Sequence, residues 1–190
     1  MKGKIFNAQE VQAIISGNKT QFREVIKKQP QPNGGKGYHP VFPYKTPSQR
    51  WNWVLDTGMG TGDPFHAPYQ VGQKIFVKES FLYGAKGRIG FADFKLIGYY
   101  SSDWQKKPAQ HMKQEHSRLT LQIKSIGVER LQDITLGDVI KEGTSIIGGW
   151  DSEDIVFDRF QEAWNATHKK PEEKFEANPW VWVVSCEVVK

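Results

Sequence analysis

The order of elements along the chain predicts an α+β fold, with short helices flanking a small β-barrel and a long Pro/Gly-rich insertion. Three observations carry it. Strand-type alternation recurs, most cleanly in residues 118–126, where Leu119, Leu121 and Ile123 share one face. Capped helical segments begin at Asn7, Thr135 and Asp151. Residues 28–70 are dense in Pro and Gly. Antiparallel-type strands with flanking helices layer as α+β. No internal repeat and no second set of apolar segments appears, so residues 1–190 read as one domain.

Each element has a local reason. Residues 7–17 predict a helix, with Asn7 as N-cap and Glu10 completing a capping box. Val11, Ile14 and Ile15 form its apolar stripe, and Gly17 or Asn18 supplies a left-handed stop. Residues 19–26 alternate as a strand. Phe22 shares a face with Glu24 and Ile26, and Arg23 shares the other with Gln21 and Val25.

In the insertion, residues 30–37 are expected to be mobile. Thr46-Pro47 reads as N-cap plus first-turn proline of a short helix through Trp51 and Trp53. Gly58, Gly60 and Gly62 form a second flexible stretch. No convincing strand precedes it and no Gly-Lys-Ser/Thr follows, so it is not a phosphate loop. A turn at Gly72 leads into a strand ending at Phe81, and residues 94–100 are another strand candidate.

Thr135 caps a short helix, with Asp138 as its N3 acid and Gly143 as its end. Asp151 caps a longer helix with Asp154 at N3. Its apolar face is Ile155, Phe157, Phe160 and Trp164, and Lys169-Lys170-Pro171 stops it. Asn178-Pro179 fixes the entry to a last strand, residues 180–189, where Trp180, Trp182 and Val184 face the core.

Composition excludes several classes. Apolar residues are 38%, charged residues 25% and aromatics 13%, with seven Trp, which rules out disorder, collagen, coiled coil and a disulfide scaffold. The net charge of +5 is unevenly placed. Residues 1–124 hold 19 Lys+Arg against 8 Asp+Glu, and residues 125–190 hold 7 against 13. A basic surplus of that kind attracts phosphates and polyanions. The single Cys186 sits in an apolar run and reads as a small buried hydrophobe. It suits a reducing cytoplasm. No run approaches the roughly eighteen apolar residues of a membrane helix, and residues 1–6 lack a signal-peptide core. No membrane partner is expected.

Several segments carry a resemblance. They are Gly17-Asn-Lys-Thr-Gln-Phe-Arg23, residues 71–81, His111-Met112, residues 117–120 and 128–134, Glu142-Gly143, and residues 177–183. In number and order they resemble phage and prophage proteins of the ASCH type, within the PUA-like superfamily. The resemblance implies a small barrel with a cleft that binds RNA, DNA or a modified nucleoside, in the cytoplasm of a bacterial host. Some ASCH-type proteins are amidohydrolases that deacetylate N4-acetylcytidine with a Lys and a Thr near the first strand and a Glu on a later short helix. Lys19 falls on that Lys and Glu142 on that Glu. Phe22 falls on the Thr, and Glu24 on a usual Arg beside which Arg23 stands.

Two chemistries follow. Amide hydrolysis needs an activated nucleophile and an oxyanion donor. Lys19 would be the base, Glu142 would hold or relay a proton, and Thr20 is the nearest hydroxyl. Binding instead uses Lys19, Arg23 and Lys78 for phosphates and Phe22 to stack a base. Glu79, His111 and Arg118 complete the nucleic-acid-binding candidates. With Phe22 at the nucleophile position, binding of a nucleic acid or modified nucleotide is the leading expectation and hydrolysis the alternative. A third reading is a phage accessory or assembly protein contacting protein partners through the insertion. No cofactor is implied. His111 and His116 are five apart with no third ligand, so no metal is expected either. Positive potential should gather at one cleft, with Glu142 as its main acid.

Overall fold

The computed structural model describes residues 1–30, 41–47, 50–55, 60–91, 104–144 and 152–189. The chain begins with β1 (Lys2–Ile5), α1 (Ala8–Ile15) and β2 (Gln21–Val25). Then come β3 (Val41–Lys45), β4 (Trp51–Leu55), β5 (Gly60–Phe65), β6 (Lys74–Lys78), β7 (Phe81–Tyr83), β8 (Ile89–Phe91) and β9 (Gln105–Lys107). It ends with β10 (Thr120–Arg130), α2 (Leu136–Lys141), α3 (Glu153–Thr167) and β11 (Trp180–Val188). The fold is α+β, mostly strand with few helices. Among the described residues no helix is long and apolar enough to cross a membrane.

The main sheet runs β1-β6-β10-β11-β2. β1 and β6 are parallel, and the other neighbours are antiparallel. The expected barrel is not closed, because among the described residues no backbone pairing joins β1 to β2. Side chains bridge those edges instead. Lys4 Nζ donates to Glu24 Oε1 at 2.6 Å, and the Phe6 and Phe22 rings meet edge-on at 5.7 Å.

Alternation along β11 explains its apolar run. Trp180, Trp182, Val184 and Cys186 enter a core with Phe6, Val11, Ile14 and Phe22. Val181 enters a second core with Val139, Val156, Phe160 and Trp164 of α2 and α3. Covered on both faces, the strand has little need of polar residues.

The capping box at Asn7 forms as expected, with Asn7 accepting from the Glu10 amide and Glu10 reaching back to the Asn7 amide. Ile15, expected in the stripe, is exposed; only Val11 and Ile14 turn inward. Thr135 caps α2, and Gly143 ends it with φ +88°. α3 has Ser152 at its N-cap position, one residue after the expected Asp151, which lies outside the described residues. Its buried face is Val156, Phe160 and Trp164, rotated from the expected stripe, so that Ile155 is exposed.

The insertion departs most from expectation. The helix expected through Trp51 and Trp53 is strand β4, the centre of a sheet β3-β4-β5. Thr46-Pro47 opens a turn instead of a helix, with the Arg50 amide donating to Thr46 Oγ1 at 3.0 Å. The alternation of Trp51 and Trp53 then places both rings on one face. There Trp53 stacks on Phe65 at 4.3 Å and meets Trp180 at 5.4 Å, while Trp51 meets Trp182 at 5.5 Å. Gly60 and Gly62 lie in β5, so a strand does precede the glycine stretch, and another strand follows it instead of the helix a phosphate loop needs. Residues 31–37 and 94–100 lie outside the described residues.

Candidate functional site

A cleft of about 830 Å³ opens between α1 and α3, with Lys19, Arg23 and Glu142 in its lining. Backbone geometry sets its floor. The chain leaves α1 through Gly17, whose φ of +77° turns it back. Lys19 then forms an isolated antiparallel bridge with Glu142, so residues 123 apart in sequence become neighbours.

Gly143 allows this approach. Its φ is +88°, and a Cβ there would sit 2.8 Å from the Ala13 Cβ and 3.1 Å from the Lys19 Cβ. Only glycine suits both the conformation and the space.

The side chains at the floor form one network. Lys19 is 5% exposed, and its Nζ donates to the Glu142 carbonyl at 2.7 Å and to Glu142 Oε2 at 3.0 Å. Glu10 Oε1 lies 3.4 Å from the same ammonium. The fully buried Arg23 side chain donates to Glu142 Oε1 at 2.8 Å and, through Nε and Nη2, to Glu129 Oε1 at 2.9 and 2.6 Å. With its amide flipped, the Gln21 oxygen accepts from both Arg23 terminal nitrogens. Asp138, 3.8 Å from Arg23, resists burial and is held below the usual carboxylate range by hydrogen bonds from Thr135 and Lys141 and by the Arg23 charge.

Lys4 and Arg118, also in the lining, have acids of their own. Arg118 pairs with Glu79 at 2.8 Å, and Lys4 pairs with Glu24. The expected cationic cleft is therefore charge-compensated, and Glu142 is one of several acids that neutralise it.

The sequence candidates are placed unevenly. Lys19, Phe22, Arg23, Glu79, Arg118 and Glu142 all line the cleft. Thr20, Lys78 and His111 do not. Thr20 is exposed, and its backbone is bound to Lys141 and Cys186. Lys78 Nζ donates to the Gln110 carbonyl, and His111 is exposed on a short 3-10 turn. Phe22 is buried, ringed by the edges of Phe6 and Tyr69 with the Lys4 ammonium 4.6 Å above it. It packs in the core rather than offering an open stacking face.

Sequence reasoning missed the far wall. There His168 stacks on Trp164 at 3.9 Å, and Arg159 and Thr167 of α3 also line the cleft. The four-residue spacing of Trp164 and His168 was the available signal. Burial pushes the Cys186 thiol up to about 11, against the lowering effect of Lys19, so it is an inert core residue at neutral pH. Among the described residues no three His, Cys, Asp or Glu side chains cluster to hold a metal. No protein-family model, curated protein or solved structure matches the chain.

Proposed function

We propose that the chain is an ASCH-type, PUA-like domain of phage or prophage origin whose cleft recognises a nucleobase, free or within a nucleic acid. The observation that carries this reading is the buried Lys19–Glu142–Arg23 network at the cleft floor. Its cations are already neutralised, so it is poorly suited to phosphate. Its fixed carboxylates keep unused lone pairs, which suit the N–H groups of a base edge. The stacked Trp164–His168 pair supplies an aromatic wall beside it.

Hydrolysis of an N4-acylated cytidine is the second reading. The 3.0 Å Lys19–Glu142 contact favours it, since that pair suits a proton relay to a bound water. Phe22 offers no hydroxyl there, and Thr20 lies outside the lining. Recognition without turnover is the better fit.

Calorimetric titration separates these outcomes. Cytidine and N4-acetylcytidine should bind, inorganic phosphate should not, and Glu142→Gln should weaken the nucleosides about ten-fold, the size of one charge-assisted hydrogen bond. Binding of phosphate alone would overturn the reading. Acetate released from N4-acetylcytidine, and lost in Lys19→Ala, would establish the enzyme instead.

A further inference from the structure

The far wall of the cleft holds a histidine whose ring is fixed on two sides. Trp164 of α3 is buried, and its Nε1 donates to the Glu173 carbonyl at 2.8 Å, so the indole is a fixed plate. His168, the C-cap residue of α3, lies nearly parallel to it, with 11° between the ring planes. Its Nδ1 is 3.0 Å from the Trp164 carbonyl and 3.1 Å from Thr167 Oγ1. A carbonyl only accepts, so Nδ1 carries a proton whether the ring is neutral or charged. The neutral ring therefore has its free lone pair on Nε2. Among the described residues Nε2 has no hydrogen-bond partner, and it is open to solvent. With one face on Trp164 and Nδ1 on the helix end, the outer face and the Nε2 edge are what the ring presents to the cleft it lines.

The floor explains why this atom matters. An arginine has five N–H groups and a lysine three. All five of Arg23 have acceptors, two on Glu129 Oε1, two on the Gln21 oxygen and one on Glu142 Oε1. Lys19 Nζ has three oxygens within 3.4 Å, two from Glu142 and one from Glu10. These two cations have no N–H to spare, so beside them the ligand meets carboxylate oxygens, which take donors and repel acceptors. Nε2 differs because its role reverses. It accepts in the neutral ring and donates in the charged one.

Resting on the reading of the cleft as a nucleobase site, we infer that His168 is a specificity-determining residue whose neutral Nε2 accepts a hydrogen bond from an N–H of the bound base. Protonation of the ring removes that acceptor and weakens the ligand. The charged groups along the floor, α1 and α3 around the ring are Glu10, Lys19, Arg23, Glu142 and Arg159, and Lys169 follows it in the chain. They are common to the wild type and to any His168 variant, so a comparison of the two isolates the ring.

The test is calorimetric titration of the full chain with cytidine at about pH 8 and about pH 5, the two ends of the range in which histidines change charge. Wild type should bind about five-fold more weakly in acid, the size of one neutral hydrogen bond. His168→Phe keeps a ring on Trp164 without Nε2. It should bind about five-fold more weakly than wild type at about pH 8 and lack the acid loss. His168→Gln keeps an acceptor that does not titrate. It should restore binding at about pH 8, again without the acid loss. A measurement on the wild type needs no variant to fold. With the protein labelled with 15N-histidine, the Nε2 resonance of His168 should move when cytidine is added at about pH 8. An acid loss retained in both variants, or an Nε2 resonance that bound cytidine leaves unmoved, would overturn the inference while the nucleobase reading stands. Wild type that binds no cytidine at either pH would overturn the nucleobase reading, and the inference with it.

Discussion

The cleft and the inserted sheet both carry basic residues, but they use them in opposite ways. In the cleft, Lys19, Arg23, Lys4 and Arg118 each meet a carboxylate within 3.0 Å. On the inserted sheet, Lys45 and Arg50 stand in a segment without an acid. A buried cation is tolerated only when paired and hydrogen-bonded, whereas an exposed one is solvated by water. The same residue type is thus locked into ion pairs in one region and exposed to solvent in the other. The net charge of +5 hides this division, because the cleft contributes little to it.

The largest expected effect tests the compensated side. Arg23→Ala would leave Glu142 and Glu129 without their buried partner, and should cost about 3–5 kcal/mol in urea unfolding. Lys45→Ala on the inserted sheet should stay within about 0.5 kcal/mol. Comparable costs for the two variants would erase the distinction.

A second pair of variants sharpens it through the backbone. Gly143 and Gly17 both have positive φ, at +88° and +77°. A Cβ at Gly17 meets nothing within 4 Å, whereas one at Gly143 meets Ala13 and Lys19. Gly17→Ala should cost about 1–2 kcal/mol, the left-handed penalty alone. Gly143→Ala should cost about 2–4 kcal/mol, because crowding adds to it. It should also weaken any cleft ligand by moving Lys19 away from Glu142. Equal costs in thermal unfolding would show that the close approach is not what Gly143 provides.

Part of this arrangement is legible in the sequence, and the physics explains which part. Asn7 with Glu10 and Thr135 with Asp138 are local capping patterns, satisfied within four residues, so they read correctly. The Trp180–Trp182–Val184 alternation is equally local. The β4 strand is hidden because Pro47 signals a helix start as readily as a turn, and the partners of β4 lie in separate segments, Val41–Lys45 and Gly60–Phe65. Lys19 and Glu142 come from the resemblance, not the spacing. Glu129 escapes the sequence because its meeting with Arg23 exists only once β2, β11 and β10 are in register. No pattern within either strand shows it.

The smallest effect concerns the bridge between β1 and β2, which lies between the two extremes. Glu24 accepts from Lys4 and from the Tyr69 hydroxyl, both at 2.6 Å. Burial alone would raise its pKa, but Lys4, with the Tyr69 hydrogen bond, holds it below the ordinary 4.5. The unfolded chain therefore takes up this proton first as pH falls. The stabilisation is complete above about 4.5 and is lost as pH falls through the depressed value. Tyr69 works at the other end. Burial, then the Glu24 charge, raises its pKa above the ordinary 10.0, so unfolding gains an ionised tyrosinate as pH rises beyond that point. Glu24→Gln should cost about 1–2 kcal/mol at neutral pH. The wild-type advantage should shrink as pH falls below about 4.5 and through the depressed value, where the wild-type carboxyl also becomes neutral. In alkali the variant should lose less stability than wild type above the ordinary 10.0, because part of the rise in Tyr69 comes from the Glu24 charge. A difference that stays flat as pH falls from neutral through the whole acid range in which the protein stays folded would mean that Glu24 acts by shape rather than charge.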